Sequence, residues 1–354
     1  FRYPDGNKPK QISFSIHHQL EIIMITIIGS LNYDLVTFTD KVPEGGETFQ
    51  ANTFENHLGG KGLNEALACA RLSPGGGSNV RMVGNVGADA FGRELKQALV
   101  DAGVDTKYVR TIENQSSGVA VILVESSGEN RILITAGANG DLKPNNDDFE
   151  TYFKNSSAEG DFVILQNEFP YTIESIEWIK SHRPAINIAY NPSPFNKDYI
   201  TESTLIKIDF LIVNEGEAMD VAQCILDERE IMEFSEKMRE NRVHGFGILA
   251  SKLQTKLDQQ NISTVVITMG SLGSVFVAKG AEPTFIASRK VDKVIDTTGA
   301  GDTFFGGVIL QLSTNKSIEH AIKFATAASG LAIQRKGAAE GIPHFDDVQK
   351  AMGN

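Results

Sequence analysis

The chain of 354 residues is 41% hydrophobic and 22% charged, the balance of an ordinary soluble globular protein with room for one large α/β domain or two smaller ones. A net charge of −12 argues against a nucleic-acid partner, which needs a basic face, but leaves open an anionic substrate held by a backbone nest and a few cations. Two cysteines, Cys69 and Cys224, are too few for a disulfide framework or a cysteine-based zinc site. Both fall in apolar helix-like stretches and read as buried small hydrophobes in a reducing cytosol.

Residues 1–23 are polar as far as His18 and lack periodicity, so they read as an extension outside the fold, with Met24 as the natural start. The apolar run from Ile22 to Ile28 reads as a first buried strand. No apolar run approaches the ~20 residues that span a bilayer, and no membrane partner is expected. From Met24 onward, short apolar runs alternate with longer amphipathic ones, the pattern of βα units on a parallel sheet. Strands are predicted at 24–29, 81–86, 161–166, 186–190, 209–213, 264–269 and 274–278. Helices are predicted at 62–72, 91–102, 172–182, 302–313, 317–334 and 345–352. Segments 36–56 and 117–136 break this rhythm and read as β-rich, with a hairpin turn at Ser126 to Asn130. In 118–124 both alternating faces are apolar, Val119/Val121/Leu123 and Ala120/Ile122/Val124, so that strand needs cover on both sides. It is either part of a small lid whose outer face packs on a partner subunit or another strand of the main sheet. Residues 217–262 are helical and charged, and read as solvated surface without chemistry.

The motif richest in chemistry is Asp296-Thr297-Thr298-Gly299-Ala300-Gly301-Asp302, where an apolar run gives way to a helix. Small residues at such a turn let backbone N–H groups crowd around an anion, and the helix dipole favours negative charge there. Asp302 in the same turn suits a base that reaches a hydroxyl beside a phosphate; an N-cap and a tight turn account for the heptapeptide taken alone. Neither a P-loop nor a G-x-G-x-x-G fingerprint occurs. Further residues along the chain join this turn. Asn32 and Asp34 follow the first strand, Gly59-Gly60-Lys61-Gly62-Leu63-Asn64 precedes a helix, and Glu168 follows another strand. Asp34, Lys61, Asn64 and Glu168 together suit a polyol, which takes several polar partners at once. Asn214 and Glu217 form an N-x-x-E pair at a strand end, able to orient a hydrated Mg²⁺ or simply to cap a helix. Thr268-Met269-Gly270-Ser271-Leu272-Gly273 links two apolar strands, as a phosphate-facing turn or as an ordinary hairpin.

In this order the motifs resemble the ribokinase family of carbohydrate kinases, its fungal members in particular, from Met24 to the C-terminus. The most specific pieces are Gly59 to Asn64 and Asp296 to Asp302, with Arg335-Lys336-Gly337-Ala338 in support. The resemblance implies a three-layer α/β/α domain over 24–354 with a mostly parallel sheet and a small β-lid. It implies ATP-dependent phosphorylation of D-ribose at its 5-hydroxyl. Asn32, Asp34, Gly60, Lys61, Gly62, Asn64 and Glu168 would hold the sugar. Asp302 would be the base, with Gly299, Ala300 and Gly301 completing the anion hole. Asn214, Glu217, Thr268, Gly270, Ser271, Gly273, Gly301 and Thr326 would serve ATP and its Mg²⁺. A K⁺ site would draw on Asp296 and Thr298 from one loop and Ala332, Arg335, Gly337 and Gly341 from the other, and Gly341 departs from the serine frequent in the family. The resemblance also implies a homodimer through the lid and a cytoplasmic enzyme, with the nucleus as a second compartment. Two alternatives stand beside it: a fructose or adenosine kinase of the same family, and a non-catalytic sugar or nucleotide sensor.

Overall fold

The computed structural model describes residues 23–77, 79–154, 160–261 and 263–353. The extension expected at 1–23 lies outside the described residues except for Ile23. The described chain runs β1 (Ile25–Ile28), β2 (Asn32–Thr39), β3 (Thr53–Gly59), α1 (Lys61–Arg71), β4 (Val80–Gly87), α2 (Ala90–Asp101), β5 (Asp105–Ile112), β6 (Gly118–Glu125) and β7 (Asn130–Thr135). It continues with α3 (Asn146–Tyr152), β8 (Phe162–Leu165), α4 (Thr172–His182), β9 (Asn187–Tyr190), α5 (Glu202–Leu205), β10 (Phe210–Asn214), α6 (Glu215–Ile225), α7 (Glu228–Glu240) and α8 (Arg242–Gln254). The last elements are β11 (Thr264–Thr268), β12 (Gly273–Ala278), β13 (Thr284–Ala287), α9 (Ala300–Ser313), α10 (Ile318–Ala332), α11 (Ala338–Gly341) and α12 (Phe345–Met352).

Nine of these strands form one sheet in the order β13-β12-β11-β10-β9-β8-β1-β4-β5, parallel from β11 to β5 and antiparallel at the β12 and β13 end. The central strands β1 and β8 are buried on both faces, as their runs Ile-Thr-Ile-Ile and Phe-Val-Ile-Leu, apolar but for Thr26, require. One core beneath the sheet joins Leu63 of α1, Phe304 of α9 and Phe324 of α10 to strand side chains. The other joins Ile176 of α4, Ala218 of α6 and Leu249 of α8. These are the three layers expected.

The second sheet, in the order β3-β2-β6-β7, is the small separate sheet expected as a lid, and is called the lid. It begins at Asn32, earlier than the expected 36, so the strand leaving β1 carries sugar-site candidates straight into the lid. Strand β6 pairs with β2 and β7, which separates it from the main sheet. Its cover is one-sided. Ala120 is buried, whereas Val121 and all of β7 are exposed.

Three expectations need correction. The 217–262 stretch is not all solvated surface: Ala218, Phe246 and Leu249 are buried, because α6 and α8 each lay one face on the sheet. Cys224 is exposed, because it lies on the outward face of α6; only Cys69 is buried, its Sγ 3.4 Å from the Gly306 carbonyl. Strands β5 and β13 and helix α3 extend the fold beyond the predicted elements.

Candidate active site

The site lies along the C-terminal ends of the parallel strands, where open α/β sheets bind ligands. The chain leaving β1 supplies Asn32 and Asp34, β8 leads to Glu168, β10 ends at Asn214, and β11 ends at Thr268. Asn214 and Thr268 are neighbours in register across β10 and β11.

Helix α1 is central to the arrangement. Its N-cap, Gly60, has φ +90°, and a Cβ there would stand 2.7 Å from the backbone nitrogen of Asn32. Glycine is thus needed both for the left-handed backbone and for the close approach to the lid strand. The next turn presents Lys61 and Asn64 together. The Asn64 Nδ2 donates to Asp302 Oδ2 at 2.8 Å, and Lys61 Nζ stands 3.7 Å from Asp302 Oδ1. The backbone N–H of Lys61 donates to Glu168 Oε2 at 2.9 Å, and the Ser30 hydroxyl donates to the same oxygen. Lys61 is held firmly protonated, first by Asp302, against the opposing effect of burial, with help from Glu168. Asp34 has the reverse problem. Burial, reinforced by Glu168, pushes its carboxyl up to about 6.

The turn before α9 takes its shape from Gly299, the N-cap, at φ +72°. A Cβ there would stand 2.9 Å from the Cα of Ala338, so the residue is also pinned against the C-terminal loop. The Ala300 N–H donates to Thr297 O at 3.2 Å and the Thr303 N–H to Gly299 O at 2.8 Å. That leaves the amides of Gly301 and Asp302 without backbone acceptors among the described residues, both at the positive end of a 14-residue helix. A Cβ on Gly301 would meet nothing within 4 Å among the described residues. A cleft of about 100 Å³ is lined by Lys61, Asn214, Glu217, Thr268, Gly301, Asp302 and Phe305, among others. Candidates from four distant parts of the chain therefore face one space.

Asn214 and Glu217 form a reciprocal cap on α6, and Glu217 Oε2 also accepts from Asn191 Nδ2 at 2.9 Å. Capping and a place on the cleft are thus combined in one pair. Gly270, at φ +54°, and Ser271 form an exposed turn between β11 and β12, and Gly273 follows at the start of β12. Thr326 is buried in α10 and its hydroxyl donates to Ile322 O at 2.8 Å. Gly62 packs against the backbone of Gly29 and Ser30, where a Cβ would stand within 2.8 Å.

The two loops proposed for a cation meet directly. Asp296 Oδ2 accepts from the Gly337 N–H at 2.9 Å, and Oδ1 accepts from the backbone and hydroxyl of Thr298 at 2.9 and 2.7 Å. Burial raises the Asp296 carboxyl, but these three bonds outweigh it and hold the group below the ordinary range. The Asp296 N–H donates to Ile333 O at 3.2 Å, and a Cβ on Gly341 would stand 3.2 Å from Ala332 O. The Arg335 side chain pairs with Asp347 at 3.2 Å. Among the described residues no group of three or more His, Cys, Asp or Glu side chains is placed to hold a metal ion.

Two buried residues escape a reading of the sequence. Asn139 hydrogen-bonds both backbone groups of Leu31 and the side chain of Asn32. Glu65, next to Asn64, accepts from Gln166 and is fully buried. Each looks like an ordinary turn or helix residue until the chain is folded.

The family model for pfkB carbohydrate kinases matches residues 23–344. The chain is 35% identical over 329 residues to the ribokinase of Schizosaccharomyces pombe, covering 92% of this chain and 97% of that protein. It is 34% identical over 331 residues to the ribokinase of Lactococcus lactis, covering 93% and 96%. Arabidopsis thaliana ribokinase complexed with ribose and ATP superposes with a TM-score of 0.77 at 29% identity, covering 94% of this chain and 99% of that one. The chain belongs to the pfkB family of carbohydrate kinases.

Proposed function

We propose that the chain transfers the γ-phosphoryl group of ATP to the 5-hydroxyl of D-ribose, giving ribose 5-phosphate and ADP. The observation that carries this reading is the placement of Asp302. It lies at the N-terminus of α9 beside two unused backbone N–H groups, and α1 ties it to the polar cluster at the root of the lid. Phosphoryl transfer depends on positioning and on charge stabilisation. Asp302 accepts the proton of the attacking hydroxyl, the Gly301 and Asp302 amides receive phosphate charge, and Lys61 offsets charge on the transferring group. Asn32, Asp34 and Glu168 hold the sugar, while Asn214, Thr268 and the 270–273 turn bound the nucleotide side. The identity to two ribokinases supports ribose over fructose or adenosine. A sensor would have no use for Asp302.

Glu217 fits a role beside Mg²⁺, a cation that keeps most of its waters and takes one or two carboxylates with substrate phosphates. Bound with ATP, Mg²⁺ supplies charge neutralisation between phosphates. The oxygen-rich meeting of the 296–298 and 332–341 loops fits a monovalent cation such as K⁺, which would brace the turn that presents the two amides. The exposed apolar side chains Phe54, Val121 and Leu133, which share one face of the second sheet, fit a second copy of the chain. The function is tested by phosphorylation assays with ribose, deoxyribose, fructose and adenosine, each with and without Mg²⁺ and K⁺. Ribose should be turned over with the highest kcat/KM; failure to phosphorylate ribose rejects the proposal.

A further inference from the structure

We infer that Asn139 is a positioning residue that fixes which end of the Asn32 amide faces the sugar. The bonds around it are directional. The Leu31 N–H can only donate, and it reaches Asn139 Oδ1 at 2.9 Å; the Leu31 carbonyl can only accept, and it takes Asn139 Nδ2 at 3.0 Å. The backbone therefore determines which atom of the Asn139 amide is nitrogen, without appeal to the side chain's surroundings. That same Nδ2 donates to Asn32 Oδ1 at 2.8 Å. Polarity passes from Leu31 through Asn139 to Asn32, and Asn32 is left with its Nδ2 as the group lacking a protein acceptor among the described residues.

The contact is built to persist. Asn139 and Asn32 are 1% and 6% exposed, so neither amide turns over freely in water. Gly118 leaves room for it, since a Cβ there would stand 2.2 Å from both Asn139 Nδ2 and Asn32 Oδ1. Residues 32 and 34 share a face of β2, because side chains two apart on a strand point the same way. Asn32 accordingly offers donors beside the acceptor Asp34, an arrangement suited to two neighbouring hydroxyls, one accepting and one donating. An Asn32 amide turned the other way would put two acceptors there and leave one pairing unmade.

The inference rests on the sugar-kinase reading, but its test is a ratio among variants of an active enzyme and is run on whichever sugar of the panel the wild type turns over best. Asn139→Ala should raise the sugar KM at least tenfold, leave the ATP KM within twofold and change kcat less than threefold. In an Asn32→Ala background the same substitution should change the sugar KM less than twofold, because its effect passes through Asn32. An equal rise in both backgrounds would mean that Asn139 acts only as a brace on Leu31, and overturns the inference. So would an unchanged KM in the single variant. Asn139→Asp supplies a second probe should the alanine variant fold poorly. It retains the bond from the Leu31 N–H and replaces the donor facing Asn32 with an acceptor, so its sugar KM should rise at least as far, and a wild-type KM there also overturns the inference. Wild-type inactivity towards ribose rejects the proposed substrate without touching this comparison.

Discussion

Lys61 and Asp302 face each other at 3.7 Å across the root of the cleft, and both are largely withdrawn from water. A pair this close in a partly buried setting keeps the lysine charged. Asn64 takes the other oxygen of the same carboxylate. The proposed base is thereby held by two donors from a single turn of α1, so its position relative to the lid is set by one helix.

Asp302→Asn preserves the shape and the Asn64 neighbour but removes the proton acceptor. Turnover should fall by ~10²–10⁴-fold, the usual effect of losing a positioned base, with ribose affinity largely retained. Steady-state kinetics paired with calorimetric ribose titration checks both halves. Turnover within a few-fold of wild type would remove Asp302 from the role of base.

Ribose affinity should depend on acid pH through Asp34. Its carboxyl is raised from 3.8 to about 6, so it is ionised at neutral pH and gains a proton as pH falls through about 6. The ribose KM should rise over that window. Asp34→Asn should flatten the dependence and cost roughly tenfold or more in affinity, as expected for a lost charged hydrogen bond. The stability effect has the opposite sense. A carboxyl raised in the folded state stabilises below its unfolded value of 3.8, and that contribution is lost as pH rises towards about 6.

Glu65 makes the same argument on a larger scale. Complete burial, with Asp302 nearby, pushes its carboxyl well above the ordinary value of 4.5, and one of its oxygens has no hydrogen-bond partner among the described residues. The folded protein therefore favours the protonated acid. Stability from this group is complete below about 4.5 and is lost as pH climbs towards the raised value. Glu65→Gln does not titrate, so its melting temperature relative to wild type should increase steadily above pH 4.5. A difference that is constant with pH would show that Glu65 is ionised in the fold.

Exchange of K⁺ for Na⁺ at constant ionic strength should raise turnover if the 296–298 and 332–341 loops bind a monovalent cation. Gly341→Ser adds an oxygen beside the Ala332 carbonyl, although its Cβ at 3.2 Å requires that carbonyl to yield by a few tenths of an ångström. The K⁺ concentration for half-activation should fall in the variant. Identical rates in both salts, in wild type and variant alike, would dismiss the site.

Leu133, Ile134 and Ile132 on β7 are 71%, 62% and 51% exposed, an apolar edge that a second copy would cover. Sedimentation at micromolar concentration should give a dimeric mass, and Leu133→Asp should shift it to monomer by placing a charge in the contact. A monomeric wild type ends the lid-pairing proposal.

Much of this architecture is legible in the sequence because the central strands are buried on both faces. The apolar runs of β1, β4 and β8 to β12 stand out for that reason, and the helices α4 and α12 end where their patterns end. The edge strands β5 and β13 are harder, since Asp105–Ile112 and Thr284–Ala287 are half-exposed and carry weak alternation. In the site, Gly59 to Asn64 and Asp296 to Asp302 announce themselves through local composition. Asn139 does not. Its partners Leu31 and Asn32 are 108 and 107 residues away, and nothing within its own turn distinguishes it. Glu65 is similarly concealed, its partner Gln166 lying 101 residues further on. Cys224 shows the opposite error, an apolar neighbourhood in sequence that the helix turns outward.

The bond between Asn64 and Asp302 joins positions 238 residues apart. At a synthesis rate of roughly 5–20 residues per second, that interval takes a ribosome about 10–50 s. The lid strands and α1 thus emerge well before the turn that supplies the proposed base, and the loop carrying Gly337 that steadies the turn comes later still. A growing chain carries the polar cluster of the proposed sugar site first and gains Asp302 later. Under the proposed mechanism, phosphate transfer is confined to molecules whose synthesis has passed this loop.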